Sequence, residues 1–202
     1  MRIKETTVYK FNELSDSAKE KAREWYRLGQ FNDSSWSEYT IEEAVREGEL
    51  LGISFKTRDV QLHGGGVRKK PCIWWSGFSS QGDGACFEGI WRAGDVKADK
   101  VADGWGDDPA TTEIKRIASV FGEIAKLYPE ASFSVKHRGH YSHENCTEFD
   151  IDMNDGEEQI SSDEQLDSDA DALKEAAKDF MRWIYRQLEK EYSYQTSDEA
   201  VD

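Results

Sequence analysis

Two short segments and one long tract hold the side chains whose types and spacing could do chemistry. The first segment is Gly77-Phe78-Ser79-Ser80-Gln81-Gly82-Asp83-Gly84-Ala85. Small residues let a backbone approach a ligand closely, and consecutive amides in such a turn can cradle an anion. The spacing matches no established motif, however. No Gly-Lys-Ser/Thr follows, no GxGxxG opens a helix, and neither Ser79 nor Ser80 stands in a GxSxG elbow. A hairpin turn that needs Gly-Asp-Gly for its backbone angles accounts for the same residues and is the favoured reading.

The second segment is His137-Arg138-Gly139-His140-Tyr141-Ser142-His143-Glu144-Asn145, where three of the four histidines fall within seven residues. Imidazole beside carboxylate suits zinc or another divalent metal. The spacing is not HExxH, and Gly139 breaks any helical face that would present two ligands together, so a polar loop is favoured. If both turns lie at one end of a sheet, Asp83, His140, His143 and Glu144 converge. The possible ligand loop then comprises Ser79, Gln81, Asp83, His140, Tyr141, His143 and Glu144. No catalytic residue, metal or cofactor is assigned, and an enzyme is the less favoured reading.

The third feature is acidic. Residues 1–100 carry 16 basic and 16 acidic side chains, whereas residues 101–202 carry 10 and 25, so the whole net charge of −15 lies in the second half. Between Arg138 and Lys174 there is no Lys or Arg but there are 12 carboxylates. Asp150, Asp152 and Asn154 hold the first positions of a calcium loop, but its sixth residue is Asp155 instead of Gly and its twelfth is Ser161 instead of Glu. Alternation with Phe149, Ile151 and Met153 makes the segment an amphipathic strand instead. Glu148, Asp150, Asp152, Asp155, Glu157, Glu158, Asp163, Glu164 and Asp167 are the candidate partner-binding surface. Phosphates require cations, so no direct nucleic-acid binding is expected. A partner with a basic surface fits, because complementary charge raises association rate and sharpens partner choice.

The elements that must position these residues follow from periodicity. Residues 5–11 read as a first strand, and Ser15 as the N-cap of a helix ending at Gly29, with Ala18, Ala22, Trp25 and Tyr26 on one stripe. A second helix covers 37–51, with Tyr39, Ala44, Val45 and Leu51 inward and a Glu42–Arg46 pair. Strands at 53–62 and 67–78 flank His63-Gly64-Gly65-Gly66, and another runs from 85 to 91. Residues 94–110 read as an exposed loop, 111–128 as an amphipathic helix ended by Pro129, and 131–137 with 147–153 as a hairpin. A last helix spans about 166–192. Helices segregated from hairpin-connected strands predict an α+β fold: one domain over 1–195, an antiparallel sheet with about four helices packed on it, and a frayed tail at 196–202.

The chain is hydrophobic in only 37% of its residues, yet 12% are aromatic, which is enough large side chain to build a core. No apolar run approaches the ~20 residues of a membrane span, and the N-terminus lacks the apolar stretch of a secretory signal. Cys72, Cys86 and Cys146 form no CxxC pair, as in a reducing cytoplasm. Buried, inert thiols are expected at Cys72 and Cys86.

Three stretches taken together resemble a known group of small proteins: residues 11–26, 75–85 and 138–145. They are similar to a bacteriophage and prophage accessory family often labelled "antitoxin of toxin–antitoxin stability system", in patches over residues 8–150. The resemblance implies a viral origin and a role in the host bacterial cytoplasm. Joined to the charge asymmetry, it leads to the expectation of an anti-CRISPR-like inhibitor of a nucleic-acid-handling defence complex, with DNA mimicry as one way to act. The alternatives are an antitoxin masking a basic toxin, and a ligand- or metal-binding protein or enzyme using the two loops.

Overall fold

In the computed structural model, residues 2, 3, 5–32, 35–153 and 162–201 are described. They open with a 3₁₀ turn, Phe11–Glu13, followed by helices α1 (Asp16–Asn32) and α2 (Ser37–Leu50). Six strands come next: β1 (Ile53–Phe55), β2 (Thr57–Gln61), β3 (Val67–Pro71), β4 (Ile73–Ser76), β5 (Gly84–Phe87) and β6 (Gly89–Arg92). After α3 (Pro109–Leu127) come β7 (Ser132–His137) and β8 (Thr147–Asp152), and the chain finishes with α4 (Asp163–Gln195) and α5 (Asp198–Val201). All strand pairings are antiparallel, so the fold is α+β. None of the described helices is long and apolar enough to cross a membrane.

The chain divides into two compact units, residues 1–39 with 189–202, and residues 40–188. In the first, Arg27 ties the chain's end to α1: its guanidinium donates to the Thr196 carbonyl at 3.0 Å and to the Asp198 carboxylate. The rings of Trp36 and Tyr192 lie 5.6 Å apart. Residues 198–201, expected within a frayed tail, therefore form a helical turn.

The second unit is built on a four-stranded sheet in the order β1-β6-β7-β8, with β2–β3 and β4–β5 as two further hairpins. The three pairs meet at a ring of backbone bonds. Lys56 N–H donates to the Glu88 carbonyl (2.9 Å), Cys72 N–H to Lys56 (2.7 Å) and Glu88 N–H to Cys72 (2.9 Å). Each of these residues turns the chain from one pair into the next, which is why the expected strands 53–62 and 67–78 are each split in two. The side chains reinforce the ring: Lys56 Nζ lies 2.7 Å from Glu88 Oε2 and holds the Glu88 carboxyl below its ordinary range.

Alternation sorts the sheet's two faces. Inward, Trp91 stacks on Phe133 at 5.5 Å and meets Phe121 of α3 at 5.7 Å, while Phe87 meets Phe180 of α4 at 6.0 Å. Trp91, Phe121, Phe133, Phe87 and Phe180 are all buried, as are Leu173, Ala177, Ile184 and Leu188 on the inner stripe of α4. Buried polar tips find partners, Trp91 Nε1 on the Leu51 carbonyl (2.8 Å) and Trp183 Nε1 on Ala110 (3.0 Å). Ion pairs Arg116–Asp179 and Arg186–Glu113 join α3 to α4.

Several expectations are corrected. Residues 5–10 form no strand, and Val8 and Tyr9 are exposed: a β-forming pattern becomes a strand only when a neighbour supplies the ladder. Helix α1 passes through Gly29 to Asn32, since a mid-helix glycine costs only about 1 kcal/mol. Its Trp25 and Tyr26 are exposed instead of inward, as is Tyr39 at 69%. Arg46 reaches Glu43 and the buried Glu47, not Glu42, which lies 3.8 Å from Arg68. The 94–110 segment is not simply an exposed loop. Val101 and Ala102 are buried, and the Ala102 N–H donates to Glu47 Oε2 at 2.8 Å. Pro109 starts α3 instead of preceding it, with Asp108 capping the Thr111 N–H at 2.7 Å.

Candidate functional site

The glycine turn joins β4 to β5, and its conformation is fixed from two sides. Trp75, Phe78 and Tyr185 of α4 form a ladder of rings, 5.6 and 5.3 Å between successive centroids, and the Tyr185 hydroxyl donates to the Gly77 carbonyl at 2.9 Å. Inside the turn, Asp83 Oδ2 accepts the Ser79 and Ser80 N–H groups at 2.9 and 2.7 Å. These are the amides that would cradle an anion, and the chain's own carboxylate already fills them. The bonds from Ser79 and then Ser80 hold the Asp83 carboxyl below its ordinary range.

This lowering has a sign that can be tested. A folded-state pKa below the unfolded one contributes stability that is present above the unfolded value and lost as pH falls through the folded one. The turn is expected to loosen under acid, below about pH 4. Asp83→Ala should have the same effect at neutral pH. Amide exchange at Ser79 and Ser80 should quicken roughly tenfold or more, since each loses a charge-assisted bond. Hydrogen-exchange NMR reads both outcomes.

The second loop, 138–146, connects β7 to β8. His137 Nε2 lies 3.0 Å from the Tyr141 carbonyl, and its ring packs 5.4 Å from Trp74. His143 Nδ1 accepts the Asn145 N–H at 3.1 Å, capping the short 3₁₀ turn Glu144–Cys146. That same nitrogen lies 3.0 Å from Glu144 Oε2, a contact that becomes an ion pair only when the ring gains a proton. Glu144 itself is turned inward and buried, where Arg182 of α4 donates to it from Nε at 2.9 Å.

The two loops do converge. A Cβ at Gly82 would sit 2.6 Å from the Tyr141 ring, and one at Gly84 would sit 2.9 Å from His143 and 3.1 Å from the Ser142 carbonyl. At that meeting the polar groups are engaged separately. Asp83 serves its own turn, His140 lies edge-on to Tyr141, His143 caps a turn and Glu144 faces Arg182. Ser79 and Gln81 point to solvent. Among the described residues no three His, Cys, Asp or Glu side chains are grouped to hold a metal. Arg182 and Tyr185, which anchor both loops, carry no local signal in the sequence beyond their helical phase.

Cys72 and Cys86 are buried and unbridged, as expected. Burial raises the Cys72 thiol above its ordinary range, and burial followed by the neighbouring Cys146 pushes Cys86 up to about 12. A raised thiol pKa lowers the share of reactive thiolate at neutral pH.

The acidic surface is the other candidate. On β8, Glu148, Asp150 and Asp152 are exposed while Phe149 and Ile151 lie half-buried beneath them. The facing positions of β7 are Lys136 opposite Glu148, Ser134 opposite Asp150 and Ser132 opposite Asp152, so the negative row runs along the border of the sheet with a cation beside its first member and serines beside the other two. Glu148 is 3.0 Å from Arg138 Nε, whereas Asp150 and Asp152 have no ion-pair partner among the described residues. Asp163, Glu164 and Asp167 are exposed at the start of α4. Asp155, Glu157 and Glu158 lie outside the described residues.

An α+β unit with a carboxylate-lined sheet border is thus what the geometry defines. Residues 36–198 match the family model of a domain of unknown function, DUF8835, and the chain belongs to that family. No curated protein and no solved structure matches it.

Proposed function

We propose that this chain is a protein-binding inhibitor of phage origin whose carboxylate surface occupies a basic, nucleic-acid-binding groove of a host defence complex. The observation that supports this reading is the exposed row Glu148, Asp150 and Asp152 on one face of β8. Residues on one face of a strand recur about every 6.8 Å. Phosphates along one strand of B-DNA advance about 3.4 Å each on the axis, so the row matches every second phosphate. Asp163, Glu164 and Asp167 at the head of α4 add further negative charge, and a groove that releases counterions to DNA would release them equally to these groups.

The test is a competition assay with a purified nucleic-acid-handling defence complex. The protein is expected to displace the complex's DNA. Raising salt from about 50 to 200 mM should weaken its binding more than tenfold. Neutralising Asp150, Asp152, Asp163 and Asp167 to asparagine should abolish displacement without changing the melting temperature, because the side chains are exposed. Salt-insensitive binding, or full inhibition by the neutralised variant, would refute the reading.

A further inference from the structure

The four-stranded sheet ends at β8, and among the described residues no strand lies beyond it. The register shows which backbone groups that border leaves open. The Arg138 N–H donates to the Cys146 carbonyl at 2.7 Å, and the same register sets Lys136 against Glu148 and Ser134 against Asp150. Hydrogen-bonded and non-bonded pairs alternate along an antiparallel ladder. Glu148, Asp150 and Asp152 therefore bond to β7, while the N–H and C=O groups of Thr147, Phe149 and Ile151 point away from it. The β6–β7 pair agrees. There the Ala93 N–H donates to the Ala131 carbonyl at 3.0 Å, so the odd-numbered residues of β7 serve β6 and the even-numbered ones serve β8. No other described backbone group meets the outward groups of β8.

The side chains of β8 are incomplete in the same direction. On the inner face Phe149 and Ile151 are only half-buried, whereas Phe133 and Val135 opposite them on β7 are 1% exposed. On the outer face Glu148 has Arg138 at 3.0 Å, but Asp150 and Asp152 are exposed with no ion-pair partner among the described residues. A six-residue border strand with open ladder groups is a template for a further strand. The carboxylates decide which strand that is. Two copies of β8 paired antiparallel about Asp150 would set Asp150 against itself and Glu148 against Asp152. Like charges directly opposite each other destabilise a ladder, so a second copy is disfavoured and a strand with cations on alternate residues is selected.

We propose that β8 is the docking edge for an extended basic segment of the partner, which joins the sheet as an antiparallel fifth strand. This rests on the reading that the carboxylate row faces a partner, and it names the element the row receives. Main-chain bonds supply affinity in such strand addition, and alternate side chains supply specificity. Residues opposite Phe149 and Ile151 exchange backbone bonds with them and turn inward, where apolar side chains extend the layer of Phe133 and Phe149. Residues opposite Asp150 and Asp152 fall in the non-hydrogen-bonded pairs, whose Cα atoms stand about 4.5 Å apart and whose side chains lie closest. Lysine or arginine is the complement there.

A capped peptide of alternating lysine and valine, about eight residues long to cover β8 at about 3.3 Å per residue, tests this with the full chain. At low salt it should bind saturably and slow amide exchange at Phe149 and Ile151 at least about tenfold, read by NMR. N-methylating the valines removes the donors that face β8 and should weaken binding at least about tenfold. N-methylating the lysines, whose N–H groups face away, should change it less than about twofold. Asp150→Lys with Asp152→Lys should abolish binding at an unchanged melting midpoint, since both side chains are exposed. Failure of the alternating peptide to bind would overturn the assignment. So would equal binding by a peptide with its lysines in one block or with methylated valines, which would mean charge attraction alone. Protection of the Phe149 and Ile151 amides in concentrated protein without peptide would give the edge to a second copy instead. DNA displacement by a chain that ignores the peptide would leave the groove reading standing and remove this one; peptide binding without displacement would do the reverse.

Discussion

Arg182→Met is expected to cost about 3 kcal/mol of stability, seen as a fall of roughly 6–12 °C in the melting midpoint of a chain this long. The guanidinium donates to Glu144 at 2.9 Å, Glu175 at 2.7 Å and Asp179 at 2.6 Å. Burial opposes its charge, but these carboxylates outweigh burial and hold its pKa above the ordinary arginine value. Glu175 is exposed, so its loss matters little. Glu144 is the reason for the large effect: with its side chain only 10% exposed, it would be left as a buried carboxylate with no guanidinium beside it. Adding Glu144→Gln to the Arg182→Met background should recover about half of the loss, because a neutral amide tolerates burial better. Urea denaturation of the two variants measures both. A cost below about 1 kcal/mol for Arg182→Met would show that the 138–146 loop is held by other contacts.

Trp91→Ala is expected to be more damaging, at about 4 kcal/mol or above. The indole is fully buried between Phe133 and Phe121, and its Nε1 donates to the Leu51 carbonyl just after α2. The variant would therefore leave both a cavity and an unsatisfied carbonyl. Trp91→Phe separates the two effects. It keeps a ring in the stack and should cost only about 1–2 kcal/mol for the lost bond and the smaller volume. Chemical denaturation of both variants should give that order, and equal losses would show that the bond carries the whole effect.

These two residues illustrate what sequence could and could not reveal. The strand at 147–153 was legible because Phe149, Ile151 and Met153 alternate with carboxylates over a full strand length. The last helix was legible because Leu173, Ala177, Phe180, Ile184 and Leu188 repeat at helical spacing. Both signals are local. The inward turn of Glu144 was not legible, since its partner lies 38 residues away on α4. Nor were the breaks at Lys56 and Cys72, where backbone groups remote in sequence complete one another's bonds and no residue type marks the place. The convergence of the two loops could be posed from sequence, but the engagement of each polar group could not. The basic β2–β3 hairpin was hidden by averaging. A first half summing to zero conceals a +3 hairpin, Arg58, Arg68, Lys69 and Lys70 against Asp59, chiefly because α2 sets five carboxylates against a single arginine.

The ring of Lys56, Cys72 and Glu88 also sets what can vary between members of the family. Because each pair of strands leaves this vertex by its own route, the β2–β3 hairpin joins the sheet by backbone bonds at its root alone, with Arg68 near Glu42 as a side-chain tie to α2. Residues can be inserted or deleted in matched pairs between Thr57 and Pro71, or at Gly64–Gly66, without changing the register of any core strand. The hairpin is thus a replaceable module, whose length can change on an unchanged core.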